Sequence, residues 1–240
     1  KGLMTWLVKQ KPDFVCLQEL KAHKIDLENK HLNLEIDDIQ YTFSLFCAKK
    51  KGYSGVAILC KKKPIKVIYG IQNLVIDNEA RVLKIEYDNL SIISVYFPSG
   101  SSGEVRQDFK MFFLNQFLNY VSKETKPMLI SGDFNICHKS IDIHDSVRNK
   151  NSSGFLPEER KWVTNFLKLG FVDTFREKNK LPHNYSWWSY RARSRERNKG
   201  WRIDYHMISD VFLNRIKEAL IFNKVEHSDH CPIYVELSLK

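Results

Sequence analysis

Several polar residues sit where apolar runs end, in places that core packing does not require. Glu19 follows Val15-Cys16-Leu17, Tyr96 follows the apolar residues 92–95, and Asp133 and Asn135 follow Met128-Leu129-Ile130. Asp204 lies inside Trp201-Arg202-Ile203-Asp204-Tyr205, and Ser228-Asp229-His230 precedes the last apolar segment. Carboxylates gathered at one place repel each other unless a cation or a proton compensates. An oxygen-rich set without a Cys/His pattern favours a hard ion, and Mg²⁺ is the usual choice where a substrate brings phosphate oxygens. Taken singly, Glu19 reads as a surface acid, Asp133 as a turn residue and His230 as a surface histidine. Asp204 is different, because an acid between Ile203 and Tyr205 alternates into a buried face and needs a partner. The joint occurrence carries the argument.

The elements that must position these residues can be read from periodicity. A helix is predicted over residues 2–11, stopped by Pro12, and Phe14-Val15-Cys16-Leu17 suits a strand buried on both faces. Strands over 41–48 and 55–60, and over 82–87 and 91–96 across an Asp88-Asn89 turn, read as hairpins of antiparallel sheet. Residues 104–121 carry apolar side chains at helical spacing, and Met128-Leu129-Ile130 is a further short strand. A helix starts at Pro157, with Glu158 and Glu159 near the positive end of its dipole, and ends at Gly170. The last third offers strands over 185–190, 202–208 and 233–237 and a helix over 213–221. Strand groups flanked by helices fit two mixed, mostly antiparallel sheets packed face to face with helices outside.

The 240 residues carry 38 Lys+Arg against 28 Asp+Glu, a formal charge of +10 that attracts polyanions such as nucleic acid. No repeat or long linker divides the chain, so a single domain over residues 1–240 is expected. Cys16, Cys47, Cys60, Cys137 and Cys231 are odd in number and form no CxxC pair, which reads as reduced thiols in a cytoplasmic protein. No apolar run reaches the roughly 20 residues of a membrane span, so no membrane partner is expected.

The blocks Leu17-Gln18-Glu19, Gly55-Val56-Ala57, Tyr96-Phe97-Pro98, Gly132-Asp133-Phe134-Asn135, Gly170-Phe171-Val172-Asp173-Thr174-Phe175, Gly200-Trp201-Arg202-Ile203-Asp204-Tyr205 and Ser228-Asp229-His230-Cys231-Pro232 run over nearly the whole chain. In order and spacing they resemble the exonuclease III and apurinic/apyrimidinic endonuclease family of metal-dependent phosphodiesterases. The resemblance implies a DNase I-like α/β four-layer sandwich, a monomer that acts on double-stranded DNA. It implies cleavage 5′ to abasic sites and removal of nucleotides from 3′ ends, with Mg²⁺ as cofactor and Mn²⁺ as the alternative ion. By the same resemblance Glu19 and Asp229 bind or adjoin the metal, Asp133 activates water and Asn135 orients it. His230 faces the scissile phosphate, Asp204 hydrogen-bonds His230, and Tyr96 contacts the phosphate.

DNA contact is expected from Lys21 and from the stretch YRARSRERNKGWR over residues 190–202, with Arg191 and Arg195 neutralising phosphates. Trp187, Trp201 and Ile203 occupy the positions that wall the family's pocket for an extruded abasic sugar. Two departures stand out. The strand that in the family usually precedes the Gly2-Leu3 position is absent, so either an N-terminal segment is missing, which is the expectation, or the site has lost a polar ligand and the sheet a central strand; Ser99 stands where many members have Asn. The rival readings are a non-catalytic DNA-binding module on a decayed nuclease fold, or another phosphodiesterase of the same superfamily.

Overall fold

The computed structural model describes residues 2–22, 33–36 and 38–239. The chain divides into two compact units, Lys1–Tyr96 with Met128–Gly132, and Phe97–Pro127 with Asp133–Lys240.

In the first unit α1 (Leu3–Gln10) precedes β1 (Phe14–Gln18), β2 (Asn33–Ile36), β3 (Ile39–Phe46) and β4 (Val56–Cys60). These strands form a sheet in the order β1-β4-β3-β2, antiparallel throughout. The central position of β4 follows from its sequence, Val-Ala-Ile-Leu-Cys, in which every residue is buried. Next come β5 (Lys66–Tyr69), the short helix α2 (Leu74–Asp77), β6 (Val82–Glu86) and β7 (Ser91–Tyr96). They build a second antiparallel ladder, β5-β6-β7, with β8 (Met128–Asp133) beside β7. The predicted hairpins β3-β4 and β6-β7 are present, the latter closed by Tyr87 N–H donating to Leu90 O at 2.8 Å.

The two sheets of this unit face each other. Gln18 Nε2 donates to Ser94 Oγ at 2.9 Å, and that hydroxyl reaches Leu17 O at 3.3 Å, so even the polar pair between the layers is satisfied. On the other side of the first sheet α1 covers Tyr41, Leu59 and Ile36 with Leu7, Leu3 and Trp6. Gly132 is required at its place in β8, since a Cβ there would stand 1.8 Å from Val95 O.

The second unit contains α3 (Glu104–Val121), α4 (Pro157–Leu167), β9 (Phe171–Asp173), α5 (Thr174–Lys178), β10 (Asp204–Ser209), β11 (Ile216–Ile221) and β12 (Ile233–Leu237). Strands β9 and β10 pair antiparallel, as do β11 and β12. Phe97, Phe113, Phe117, Phe134, Trp162 and Phe166 form its core, with ring centroids as close as 4.3 Å for Phe97 and Phe134. Pro157 begins α4 as expected, and the chain leaves that helix through Gly170 at φ +92°.

Two expectations are corrected here. Residues 185–190 form no strand; Trp187 makes only isolated bridges, to Trp201 and His230, because its neighbours hydrogen-bond to loops rather than to a ladder. Residues 213–221 are not a helix. A 3₁₀ segment Asp210–Arg215 leads into β11, where pairing with β12 buries Ile216 and Ala219. Tertiary pairing overrides a local apolar spacing that either structure could satisfy. Strands β2, β5 and β9 and the short helices α2 and α5 have no counterpart among the sequence-based expectations. Among the described residues, no helix is long and apolar enough to cross a membrane.

Candidate active site

Asp133 ends β8 and is 5% exposed. Phe134, fully buried, anchors the next position, and Asn135 then turns back at φ +50°, a left-handed conformation uncommon outside glycine. That turn lets Asn135 bracket the carboxylate two residues earlier: its N–H donates to Asp133 Oδ1 at 2.8 Å and its Nδ2 to Asp133 Oδ2 at 3.0 Å. The same Nδ2 also donates to Phe97 O at 2.9 Å.

Asp204 opens β10, its N–H and that of Ile203 both donating to the buried Ser186 hydroxyl at 3.1 Å. Its carboxylate faces His230, with Oδ2 at 2.9 Å and Oδ1 at 3.1 Å from Nδ1. Burial opposes a charge on this imidazole, but the Asp204 carboxylate outweighs it, helped by Asp133 and Asp229, and the His230 pKa is raised from 6.5 to about 10. Near neutral pH the ring is therefore a cation, with Nδ1–H held by Asp204 and Nε2–H left to donate. Asp133, Asp204 and His230 offer ligand atoms within 4.8 Å of one another. The negative charge of the two carboxylates suits a hard divalent cation bound beside them through oxygen.

Asp229 precedes this histidine and accepts from Trp187 Nε1 at 3.0 Å. Trp187 and Trp201 exchange backbone hydrogen bonds at 2.9 Å each way, and their rings meet edge to face at 6.0 Å. Both rings lie against a cluster of Cys137, Ile143, Phe155 and Ile203. The Trp201 ring has room because residue 154 is glycine, at φ +95°, where a Cβ would come within 2.8 Å of it. The structure thus brings together Asp133, Asn135, Asp204, His230, Asp229, Trp187, Trp201 and Ile203.

Glu19, Lys21 and Tyr96 belong to the first unit. Beyond the end of β1 the chain turns at Glu19 and Lys21, both at φ +53°, with Leu20 and Lys21 N–H donating to Gly55 and Ser54 carbonyls. Glu19 Oε1 lies 3.0 Å from Lys21 Nζ, so the acid has a cationic neighbour. Tyr96 ends β7 under the guanidinium of Arg81, 4.7 Å from the ring centroid, and Arg81 also donates to Tyr96 O at 3.0 Å.

The two arginines singled out for DNA differ. Arg191 is exposed, just before the left-handed kink at Ala192 and Arg193. Arg195 donates to the carbonyls of Ser228, Asn223 and Val225 at 2.7–3.0 Å and stacks on Trp188 at 4.6 Å, so it ties the loop down.

Sequence reasoning missed the supports. Arg202 is fully buried between Asp142 (Nε to Oδ1, 2.8 Å) and Asp173 (2.7 and 3.2 Å), and Arg176 joins Asp142 at 2.8 Å. Burial works against the Arg202 charge, yet the carboxylates of Asp173 and Asp142 keep it protonated. One signal was present: Arg202 stands between Trp201 and Ile203 in an otherwise apolar run, where a charge needs a buried partner.

Two histidines give stability opposite pH dependences. Burial lowers the His206 pKa from 6.5 to about 4, so its contribution is full above pH 6.5 and is lost as pH falls toward 4. His230 acts in reverse: its contribution is full below pH 6.5 and is lost as pH rises through about 10. In metal-free protein the urea midpoint falls between pH 7 and pH 5, and His206→Leu flattens that acid limb. An unchanged acid limb in the variant contradicts the assignment.

A carboxylate-imidazole pair beside a braced carboxylate is a set of groups suited to acid-base hydrolysis. Residues 1–230 match the Endonuclease/Exonuclease/phosphatase family. The chain is 38% identical over 239 residues to the exodeoxyribonuclease of Bacillus subtilis (strain 168), spanning 98% of this chain and 92% of that protein. It is 36% identical over 245 residues to the DNA repair nuclease APEX1 of Danio rerio, spanning 100% and 77%. Among solved structures, an AP endonuclease from Archaeoglobus fulgidus superposes with a TM-score of 0.87 at 26% identity, over 99% of this chain and 93% of that one. The chain belongs to the endonuclease/exonuclease/phosphatase family, as a hydrolase of the nuclease class. The expected α/β sandwich class holds with it.

Proposed function

We propose that the chain is a Mg²⁺-dependent DNA repair nuclease that cleaves duplex DNA 5′ to abasic sites and removes 3′-terminal nucleotides. The observation that carries this reading is the Asp204-His230 pair, 2.9 Å apart, grouped with the Asn135-bracketed Asp133. A phosphodiester transition state gathers negative charge on its oxygens. His230 Nε2–H donates to one of those oxygens, while Asp204 fixes the tautomer and keeps the ring cationic. Asp133 accepts the proton of the attacking water, and the Asn135 amide orients that water. Tyr96 donates to the phosphate.

Glu19 and Asp229 would hold Mg²⁺, with Mn²⁺ as the substitute. A bound divalent ion supplies Lewis-acid polarisation of the phosphate and neutralises charge on the leaving oxygen. Lys21 and Arg191 neutralise backbone phosphates, and Arg195 serves the same interface by anchoring its loop. Trp187, Trp201 and Ile203 wall a pocket for the base-free sugar, which costs little stacking energy to extrude. On this reading both units act as one nuclease domain, in a cytoplasmic monomer.

The test is incubation with a duplex oligonucleotide bearing one abasic site. With Mg²⁺ the expected products are a 3′-hydroxyl end and a 5′-deoxyribose phosphate; EDTA abolishes them and added Mg²⁺ restores them. Intact substrate in Mg²⁺, or equal cleavage in EDTA, overturns the proposal.

A further inference from the structure

Helix α3 buries Phe113, Leu114, Phe117 and Val121, and the same stripe contains a charged residue, Lys110, with no exposure. A buried ammonium is costly unless it is paired and its hydrogens are satisfied. Lys110 Nζ lies 2.7 Å from Oε1 of Glu159, which is equally buried, and donates to the Asn135 carbonyl at 2.8 Å. Glu159 in turn accepts from Gly154 N–H at 2.7 Å, from Leu156 N–H at 3.0 Å and from Gln107 Nε2 at 3.1 Å. Gln107 Oε1 accepts from Ser153 Oγ at 2.7 Å. One ion pair therefore joins α3, the start of α4, the loop beside Trp201 and the carbonyl of Asn135.

That carbonyl belongs to the residue at φ +50° whose N–H and side-chain amide bracket Asp133. Asparagine tolerates this conformation when hydrogen bonds hold it, and here they engage both its ends, the N–H and Nδ2 on Asp133 and the carbonyl on Lys110. Stability alone does not call for an ion pair, because buried pairs replaced by well-packed neutral side chains are often no less stable. What an apolar side chain at position 110 could not do is donate to the Asn135 carbonyl.

We infer that Lys110 and Glu159 are positioning residues for hydrolysis: the pair pins the Asn135 peptide so that its amide stays on the Asp133 carboxylate. This inference rests on the proposed nuclease reading, and neither residue touches substrate in it.

Two double variants separate positioning from mere structure. K110M/E159Q removes both charges and the donor at 110, yet keeps a side-chain oxygen for Gly154 and Leu156. K110Q/E159Q differs from it only in restoring a donor at 110. For K110M/E159Q, kcat on the abasic duplex is expected to fall about 10- to 100-fold, the usual range for loss of an orienting partner, with KM little changed. The Asn135 side-chain amide protons, followed by ¹⁵N NMR, should exchange faster. K110Q/E159Q should recover both kcat and protection. A folded K110M/E159Q with wild-type kcat and unchanged Asn135 protection overturns the inference, as does an equal loss in both variants. Wild-type protein that leaves the duplex intact overturns the nuclease reading instead, and the Asn135 protection then still decides whether the pair holds that residue.

Discussion

His230→Ala lowers kcat on an abasic duplex by about 10²- to 10⁴-fold, the range for a positioned acid-base group, while the Kd for the same duplex stays near that of the wild type. The reason lies in what the ring offers. Nδ1 is held by Asp204 at 2.9 Å, and the pKa raised to about 10 keeps the ring protonated through neutral pH. Its remaining N–H is a fixed donor to the charge that develops as the phosphodiester breaks, and alanine removes it without touching Lys21 or Arg191, the residues proposed for the backbone phosphates. Asp133→Ala has an effect of the same order, because the Asn135 N–H and Nδ2 both hold this carboxylate in place. Asp204→Asn separates orientation from charge: it lets the His230 pKa drop toward its ordinary value, so the alkaline limb of the pH-rate profile moves to lower pH. Single-turnover kinetics with separately measured Kd values check all three. Turnover of either alanine variant near the wild-type rate removes these residues from the chemistry.

Arg202→Met destabilises the protein by about 3–5 kcal/mol, the cost of breaking a buried ion pair from one side. Arg202 lies fully inside the second unit, with three nitrogens on Asp142 and Asp173. Removing it leaves Asp173 with no counter-charge of comparable geometry and Asp142 with Arg176 alone. Burial pushes the Asp142 carboxyl up, but Arg202 and then Arg176 outweigh it and hold the group below its ordinary pKa. Without Arg202 that balance reverses, and protonation or water entry must compensate. The segment it clamps carries Trp201, Ile203 and Asp204, so the same variant should also weaken binding to abasic duplex more than to intact duplex. Urea denaturation measures the first effect, and a loss below about 1 kcal/mol, no more than an exposed pair is worth, contradicts it.

The groups proposed for the chemistry were legible in the sequence because each sits where a strand pattern breaks. Asp133 and Asn135 come just after Met128-Leu129-Ile130-Ser131-Gly132, and Asp204 interrupts an apolar run, where an acid needs a partner such as His230. The groups that hold them were much less so. Lys110 is one of four charges in its helix, beside Glu104, Arg106 and Asp108, and Glu159 reads as an ordinary first-turn acid placed for the helix dipole. Nothing in the spacing of residues 110, 135 and 159 says that they touch, since their contact depends on how α3 and α4 pack.

Residues 213–221 make the same point for the fold. Their apolar spacing suits a helix as well as a strand, and the choice falls to β11 because β12 lies alongside to complete its hydrogen bonds. Local sequence determined the strongly periodic elements, the hairpins β3-β4 and β6-β7 and the identity of the acids and histidine, because those follow from side-chain alternation and chain-bound turns. Tertiary structure alone decided which buried charge meets which. An ion pair is stable in the interior only when packing brings its partners within hydrogen-bond reach, and that distance is a property of the assembled layers, not of any stretch of chain.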